Sequence, residues 1–314
     1  MSGMLFIHIP KTAGTSFLKS VRNIAGYDAV EVDYGPDVEH STKLVRQFIY
    51  EKPTIDEYSF YEAFQKEEKE LLGGHFFSDR YLQLFGAENT ISFVREPVDR
   101  VISEYFYLKK KHGLDQPFEE FYRSPAETNK QFRMIGQVPW RAFDMVGSLQ
   151  SYGKCLERLS GKYAVNFSEE RENIAHKTSK NTVPDDVRSD ILAHNDRDQV
   201  FVSEVEIYLQ KLLQSYYENK VFCYHDFGFI PDQHIIGWAF YQANDNPVEL
   251  ELWIDGQLKE TILATEHRPE LQLLKTPRGG HNGFRVVLSP YSGADKIQLI
   301  AKQTGQYLLD WKRT

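Results

Sequence analysis

Short apolar runs and helix-spaced apolar stripes fill roughly the first 225 residues, and strand-period runs fill the rest. Leu5 to Ile9 is a continuous apolar run closed by Pro10, which predicts a short buried strand. From Ser16 to Ile24 the residues Phe17, Leu18, Val21 and Ile24 share a helical face, and Gly26 stops the pattern. A buried strand, a tight loop and a helix make half of a βαβ unit. Residues 27–72 are polar and aromatic, with a helix predicted near Tyr58 to Leu72 and the "KEEKE" run as its solvated face. Thr90 to Val94 is a second apolar strand. Pro97 then suits the first turn of a helix carrying Val98, Val101, Ile102, Tyr105 and Leu108 on one face and ending near Gly113. Further helices are predicted at Ser148 to Leu159, Val187 to His194 and Asp198 to Tyr217, the last with Val202, Val205, Leu209, Leu212 and Leu213.

After "CYHDFGFIPDQH" the period changes to two. "IIGWAFYQA", "VELELWIDG", "QLKETILA", "GFRVVLSP", "DKIQLIAKQ" and "GQYLLDW" are β-rich runs separated by turn residues, and Asp255-Gly256 is a hairpin signal. The reading is an α/β domain over 1–226 and a small all-β sandwich over 227–314, with the boundary near Phe227 to Gln233.

The totals narrow the function classes. The 314 residues are 41% hydrophobic and 26% charged, as in an ordinary globular protein with a sizeable core. The net charge of −8 disfavours a surface that tracks long polyanions, so no nucleic-acid partner is expected. Cys155 and Cys223 are too few for a disulfide framework and read as buried or free thiols in a reducing compartment. No run reaches the roughly 18 apolar residues of a membrane span, and the first apolar segment leads straight into the Pro-Lys turn, unlike a signal peptide. The sequon at Asn166 is read as accidental, and the expected location is cytoplasmic.

The candidate chemistry begins at "FIHIPKTAGTSF", residues 6–17. Small residues between a strand and a helix present successive backbone N–H groups to an anion. Thr12, Ala13, Gly14, Thr15 and Ser16 supply those donors, with hydroxyls from Thr12, Thr15 and Ser16. Gly14 permits a close approach or a positive φ, and Lys11 puts a cation at the mouth. A Walker A loop has its lysine after the second glycine, and no apolar strand ends in an Asp suited to Mg²⁺, so a nucleotide kinase is the weaker reading.

"HIPKTAGTSF" resembles the 5′-phosphosulfate loop of sulfotransferases that use 3′-phosphoadenosine 5′-phosphosulfate (PAPS). It is closest to the family 2 type of carbohydrate sulfotransferases, related to the heparan and dermatan 2-O-sulfotransferases. "ISFVREPVDRVISEYFY" is similar to the second signature of that superfamily, which holds the 3′-phosphate, with Arg95 at the strand end and Ser103 on the following helix. Arg95 can offer a phosphate a bidentate fork, and ligands gather at the C-terminal ends of parallel strands. Arg100 reads as structural, paired with Glu96 or Glu104. The resemblance covers about residues 4–220. It implies a P-loop-NTPase-like parallel sheet flanked by helices, PAPS as donor and 3′-phosphoadenosine 5′-phosphate (PAP) as product, no required metal, and a glycan hydroxyl as acceptor. It also implies a loop closing over the nucleotide. "NIAHKTSKN", 173–181, fits by position, with Lys177, Thr178 and Lys180 as candidates.

Sulfuryl transfer needs positioning, a cation near the bridging oxygen and a base for the incoming hydroxyl. Lys11 suits the second need. His75 in "LLGGHFFSDRY" suits the third: an imidazole titrates near neutrality, and Gly73-Gly74 allow the backbone to bring it close to a ligand. The resemblance points the same way, since a Gly-His-aromatic stretch between the two phosphate motifs carries the base proposed for the 2-O-sulfotransferases. His8 is the rival, flanked by core residues. "KKKH", 109–112, reads first as a basic helix end that complements the dipole. "RGGHNG", 278–283, reads as a single loop. Of Trp238, Trp253 and Trp311 at least two are expected in the core. The β sandwich is expected to bind carbohydrate or to mediate oligomerisation, and a homo-oligomer remains open. A non-enzyme alternative is an inactive glycan-binding protein that retains a nucleotide site.

Overall fold

The computed structural model describes residues 3–36, 40–168 and 183–313. Two compact units emerge: Met1–Phe85 with Asn89–Trp140 and Asp144–Leu213, and Gly86–Glu88 with Arg141–Phe143 and Gln214–Thr314.

The first unit is built on five parallel strands: β1 (Met4–Ile7), β2 (Val30–Asp33), β3 (Leu71–Gly74), β4 (Thr90–Val94) and β5 (Met145–Ser148), in the order β2-β3-β1-β4-β5. Every residue of all five is buried, as in sheets covered on both faces. The flanking helices include α1 (Gly14–Ala25), α2 (Glu57–Lys66), α3 (Pro97–His112), α4 (Tyr152–Tyr163), α5 (Asp185–His194) and α6 (Asp196–Tyr217). This is the P-loop-NTPase-like sheet implied by the resemblance. The chain leaves β1 for one side of the sheet and returns on the other at β4, so the loops after β1 and β4 flank a topological switch point, where open α/β sheets bind ligands.

Local chemistry sets the two helices that matter most. Gly26, with φ +90°, ends α1. Glu96 caps α3 by accepting from the Asp99 N–H at 2.8 Å, Pro97 opens it, and Gly113 closes it at φ +64°. Val98, Val101 and Tyr105 of α3 pack on Phe121, Tyr122 and Ile191, which leaves the opposite face to the sheet end.

Two expectations are corrected, and one strand stands where none was expected. The helix predicted to reach Leu72 ends at Lys66, and β3 takes Leu71–Gly74. The helix predicted from Ser148 begins at Tyr152, because Met145–Ser148 is the edge strand β5. β2, "VEVD", carries two acidic residues yet is fully buried; Glu31 pairs with Lys69 at 3.1 Å, and Asp33 is tied into the network described below. Cys155 and Cys223 are both buried free thiols. Among the described residues no helix is long and apolar enough to cross a membrane.

The second unit holds two four-stranded antiparallel sheets. One has the order β10-β11-β7-β6, from β6 (Cys223–Ile230), β7 (His234–Tyr241), β10 (Glu266–His267) and β11 (His281–Val287). The other has the order β13-β12-β8-β9, from β8 (Glu249–Ile254), β9 (Gln257–Leu263), β12 (Lys296–Ala301) and β13 (Gln306–Lys312). Ile235, Leu250, Leu252, Phe284, Val286, Ile297 and Leu299 fill one core between them, a sandwich. Asp255 and Gly256, both at positive φ, make the two-residue turn between β8 and β9. Trp238 is buried and Trp311 packs partly buried on the core, while Trp253 lies outside that core with its indole N–H donated to Glu251 at 3.0 Å.

Candidate active site

The loop after β1 is shaped by its backbone. Lys11 and Ala13 both take left-handed conformations, φ +67° and +72°, without being glycine. Each such residue costs about 1–2 kcal/mol in the ordinary accounting, and backbones of this kind turn successive N–H groups into an anion-binding concavity. The Thr12 hydroxyl is buried and donates to the Ile9 carbonyl at 2.8 Å, so it braces the turn instead of facing a ligand. Ala13 caps α1 without a side-chain bond, and no acidic residue sits in the first turn. The N–H groups of Gly14, Thr15 and Ser16 therefore open the helix with no side-chain cap. Thr15 is exposed and Ser16 buried. A loop of this kind fits a phosphate or sulfate group.

Gly14 has a different reason from the one its place in the loop suggests. Its φ is not positive; instead, a Cβ built there would stand 1.9 Å from His8 Cδ2. The His8 ring cannot step aside. It stacks on Phe6, bonds Tyr34 Oη through Nδ1 at 2.9 Å, and meets His75 edge-on at 4.6 Å between centroids. Gly14→Ala is expected to cost about 1–3 kcal/mol by overpacking, and adding His8→Ala is expected to recover part of it. Denaturant midpoints of the two variants check this; a Gly14→Ala protein of unchanged midpoint would refute the contact.

Arg95 stands at the end of β4 and is held on three sides. Its Nη1 donates to the Lys11 carbonyl at 3.2 Å, tying the end of β4 to the loop after β1. Its own N–H donates to Gln131 Oε1 at 2.9 Å, and its carbonyl accepts from Gln131 Nε2 at 2.8 Å. Gln131 is fixed in turn: its N–H donates to Asp198 Oδ2 at 3.2 Å and that of Phe132 to Asp198 Oδ1 at 2.7 Å, at the start of α6. Nothing in the sequence pattern singled out Gln131 or Asp198. Arg100 is structural, as expected, but its partner is Glu127, reached through Nη1 at 3.2 Å and, by Nη2 to the carbonyl, at 3.0 Å.

Ser103, Tyr107 and Lys111 recur every fourth residue along α3, a spacing that puts them on one face. Lys11 Nζ lies 4.0 Å above the Tyr107 ring and Lys111 Nζ 5.5 Å from it, so one aromatic face serves two ammonium groups. Lys111 is thus the one lysine of the "KKKH" run brought to the loop, beyond any service to the helix dipole. The i, i+4 spacing from Ser103 was the available signal for Tyr107. Burial lowers the Lys11 pKa; Glu104 opposes this, and Arg95 and Lys111 add to it. Glu104 is itself buried, its Oε2 has no hydrogen-bond partner among the described residues, and burial raises its pKa against the pull of Lys130.

His75 follows β3. Its N–H donates to the Asp33 carbonyl at 2.9 Å. Gly74 is glycine because that same carbonyl would lie 1.9 Å from a Cβ, and Gly73 because Leu18 and Phe6 crowd it. The two glycines thus serve the neighbouring strand and helix, not the approach of a ligand. The Asp33 carboxylate, buried, accepts from Tyr50 Oη at 2.6 Å, Tyr81 Oη at 2.8 Å and Arg80 Nη1 at 3.2 Å. His75 lines an open cavity of about 800 Å³ with Tyr58, Phe77, Asp79 and Arg80 among its walls. Desolvation lowers its pKa, Lys130 lowers it further, and Asp33 opposes. Solvent reaches the ring from the cavity side, which limits the first of these. The imidazole is neutral at pH 7 and able to accept a proton. His8 is more deeply buried and lowered further, by burial first, then by His75 and Lys11.

Of the sequence candidates, Arg95 is hydrogen-bonded to the Lys11 carbonyl of the loop that also holds Thr12 to Ser16, and Ser103 shares a face of α3 with Tyr107, over which Lys11 lies. His75 stands beyond His8 at the cavity. Lys177, Thr178 and Lys180 lie outside the described residues. Among the described residues no group of three or more His, Cys, Asp or Glu is placed to hold a metal ion.

No curated protein matches the chain. A sulfotransferase from Alicyclobacillus acidocaldarius is similar at 16% identity over 68% of this chain and 96% of that one, with a TM-score of 0.36. Retinol dehydratase, in a complex with retinol and PAP, is similar at 11% identity over 54% and 61%, with a TM-score of 0.29. Likenesses this distant carry no weight for substrate or site. The sulfotransferase family pattern, however, spans residues 2–225, the loop after β1 and the segment after β4 included, and the chain belongs to the sulfotransferase family.

Proposed function

We propose that this sulfotransferase moves a sulfuryl group from PAPS to a hydroxyl of a glycan or glycoconjugate, with His75 as base and Lys11 as the cation at the bridging oxygen. The observation that carries the reading is a chain of contacts. Gly14 in the anion loop packs on His8, His8 meets His75 at 4.6 Å, and His75 opens on the cavity. Donor loop and acceptor space are thereby one ring apart.

The residues divide the work. The N–H groups of the 12–16 turn and the Ser16 hydroxyl hold the 5′-phosphosulfate, while Thr12 keeps the turn closed. Arg95 and Ser103 hold the 3′-phosphate, and Lys177 and Thr178 are assigned to the nucleotide on the resemblance alone. His75 takes the proton as the acceptor oxygen bonds to sulfur and the sulfur–oxygen bond to the 5′-phosphate breaks. Lys11 meets the charge left on that phosphate. The free buried thiols Cys155 and Cys223 fit action in a reducing, cytoplasmic setting, and we assign the sandwich an accessory role in carbohydrate binding or oligomerisation.

Calorimetry with PAP, with and without Mg²⁺, tests the proposal. Binding that does not depend on the metal is expected. Absence of binding refutes the reading, and an absolute Mg²⁺ requirement turns it toward phosphoryl transfer.

A further inference from the structure

On the reading that a hydroxyl acceptor enters the cavity beside His75, we infer that this acceptor is an uncharged sugar ring, seated against an aromatic shelf with its hydroxyls on two carboxylates, and not an anionic polysaccharide. Tyr58 and Phe77 line the cavity and are 65% and 52% exposed, an unusual amount of open aromatic surface for one cavity. Flat aromatic faces suit the apolar face of a pyranose. Beside them stand the carboxylates of Glu57 and Asp79, acceptors only, which suit the hydroxyl donors at a sugar's edge.

The charge count decides the class. Among the described lining residues Arg80 is the one Lys or Arg, and it is already engaged: its Nη1 donates to Asp33 Oδ2 at 3.2 Å and to Tyr50 Oη at 2.9 Å. The buried Asp33 is the carboxylate that holds it, so this pair adds no net charge and Glu57 and Asp79 set the sign of the wall. A uronate or sulfate group placed here meets Glu57 and Asp79 and finds its natural counter-ion committed elsewhere. Hydroxyls without charge meet no such repulsion, and their bonds to ionised acceptors are of the stronger kind. The volume, about 800 Å³, lies within the range of ligand cavities.

A matched pair of acceptors isolates the charge: phenyl β-D-glucuronamide and phenyl β-D-glucuronide carry the same hydroxyls and differ in whether C6 is a neutral amide or a carboxylate. Transfer of labelled sulfuryl from PAPS is expected to favour the amide in kcat/KM by about tenfold or more at low salt, with a smaller ratio in 0.5 M NaCl. The double variant Glu57→Gln, Asp79→Asn is expected to narrow the ratio several-fold through KM, with unchanged PAP affinity showing that it is folded. Equal or better transfer to the glucuronide overturns the inference, as does a ratio that the double variant leaves intact, or PAP-competent protein that uses neither compound. Failure to bind PAP at all instead refutes the sulfotransfer reading beneath it.

Discussion

Lys11→Ala is expected to lower sulfuryl transfer by about 10² to 10³, the loss found when one preorganised donor to a developing charge is removed, while the fold persists. The side chain leaves the loop to lie over Tyr107, so its removal forfeits one cation–π contact and leaves the backbone bonds of the turn in place. Alanine at position 11 inherits the same left-handed backbone, as Ala13 already does two residues on. The effect should therefore fall on turnover and not on the denaturation midpoint. Arginine is not expected to substitute, since its planar fork differs from a compact ammonium in both reach and geometry. Charge balance adds a pH signature. Because burial lowers the Lys11 pKa, with Arg95 and Lys111 adding to that and only Glu104 opposing, the alkaline limb of kcat/KM should fall below pH 10.5. Single-turnover transfer beside PAP calorimetry measures the separation, and an alanine variant with normal turnover would remove Lys11 from the reaction.

His75→Ala is expected to cut kcat by about 10² to 10⁴, the range for loss of a general base, with PAP affinity held. The histidine that touches the donor loop is His8, not His75, which is why binding and turnover should part company here. The acid limb carries the sign. A lowered pKa keeps the imidazole neutral in the folded protein, so kcat/KM should stay level as pH falls through 6.5 and break below it, where the folded ring gains its proton. Between the folded and ordinary values the unfolded chain binds more protons than the folded one, so stability also declines as pH falls. An acid limb centred at 6.5, or unchanged turnover in the alanine variant, would place the base elsewhere.

The sequence spoke most clearly where the chain punctuates itself. Pro10, Gly26, Pro97 and Gly113 mark the edges of β1, α1 and α3, and those elements lie close to where the pattern put them. The strands β2, β3 and β5 were not legible. "VEVD", "LLGG" and "MVGS" are four residues each, with acids or glycines where apolar residues would be looked for. What makes them strands is burial between neighbours, a tertiary property that a short window cannot contain. The site divides the same way. The loop, Arg95 and His75 were visible because each belongs to a local pattern. Gln131 and Asp198 act on Arg95 from distant segments, and Asp33 reaches Arg80 across 47 residues of chain. Gly14 shows how one of two sequence readings can fail alone: its φ is not positive, the left-handed turns fall on its neighbours, and its missing Cβ makes room for an imidazole.

The bracket around Arg95 has a consequence for how the protein comes into being. Lys11, Arg95, Gln131 and Asp198 are joined by hydrogen bonds spanning 84, 36 and 67 residues of chain. Contacts so far apart form late, after the entropy of long loops has been spent. A nascent chain that has not yet produced α6 holds the whole phosphate-loop sequence, yet Gln131 has no anchor and Arg95 no fixed direction. The bracket that fixes Arg95 is therefore among the last things the first unit completes, and any ligand that binds the finished bracket acts on the equilibrium between the finished fold and everything that precedes it.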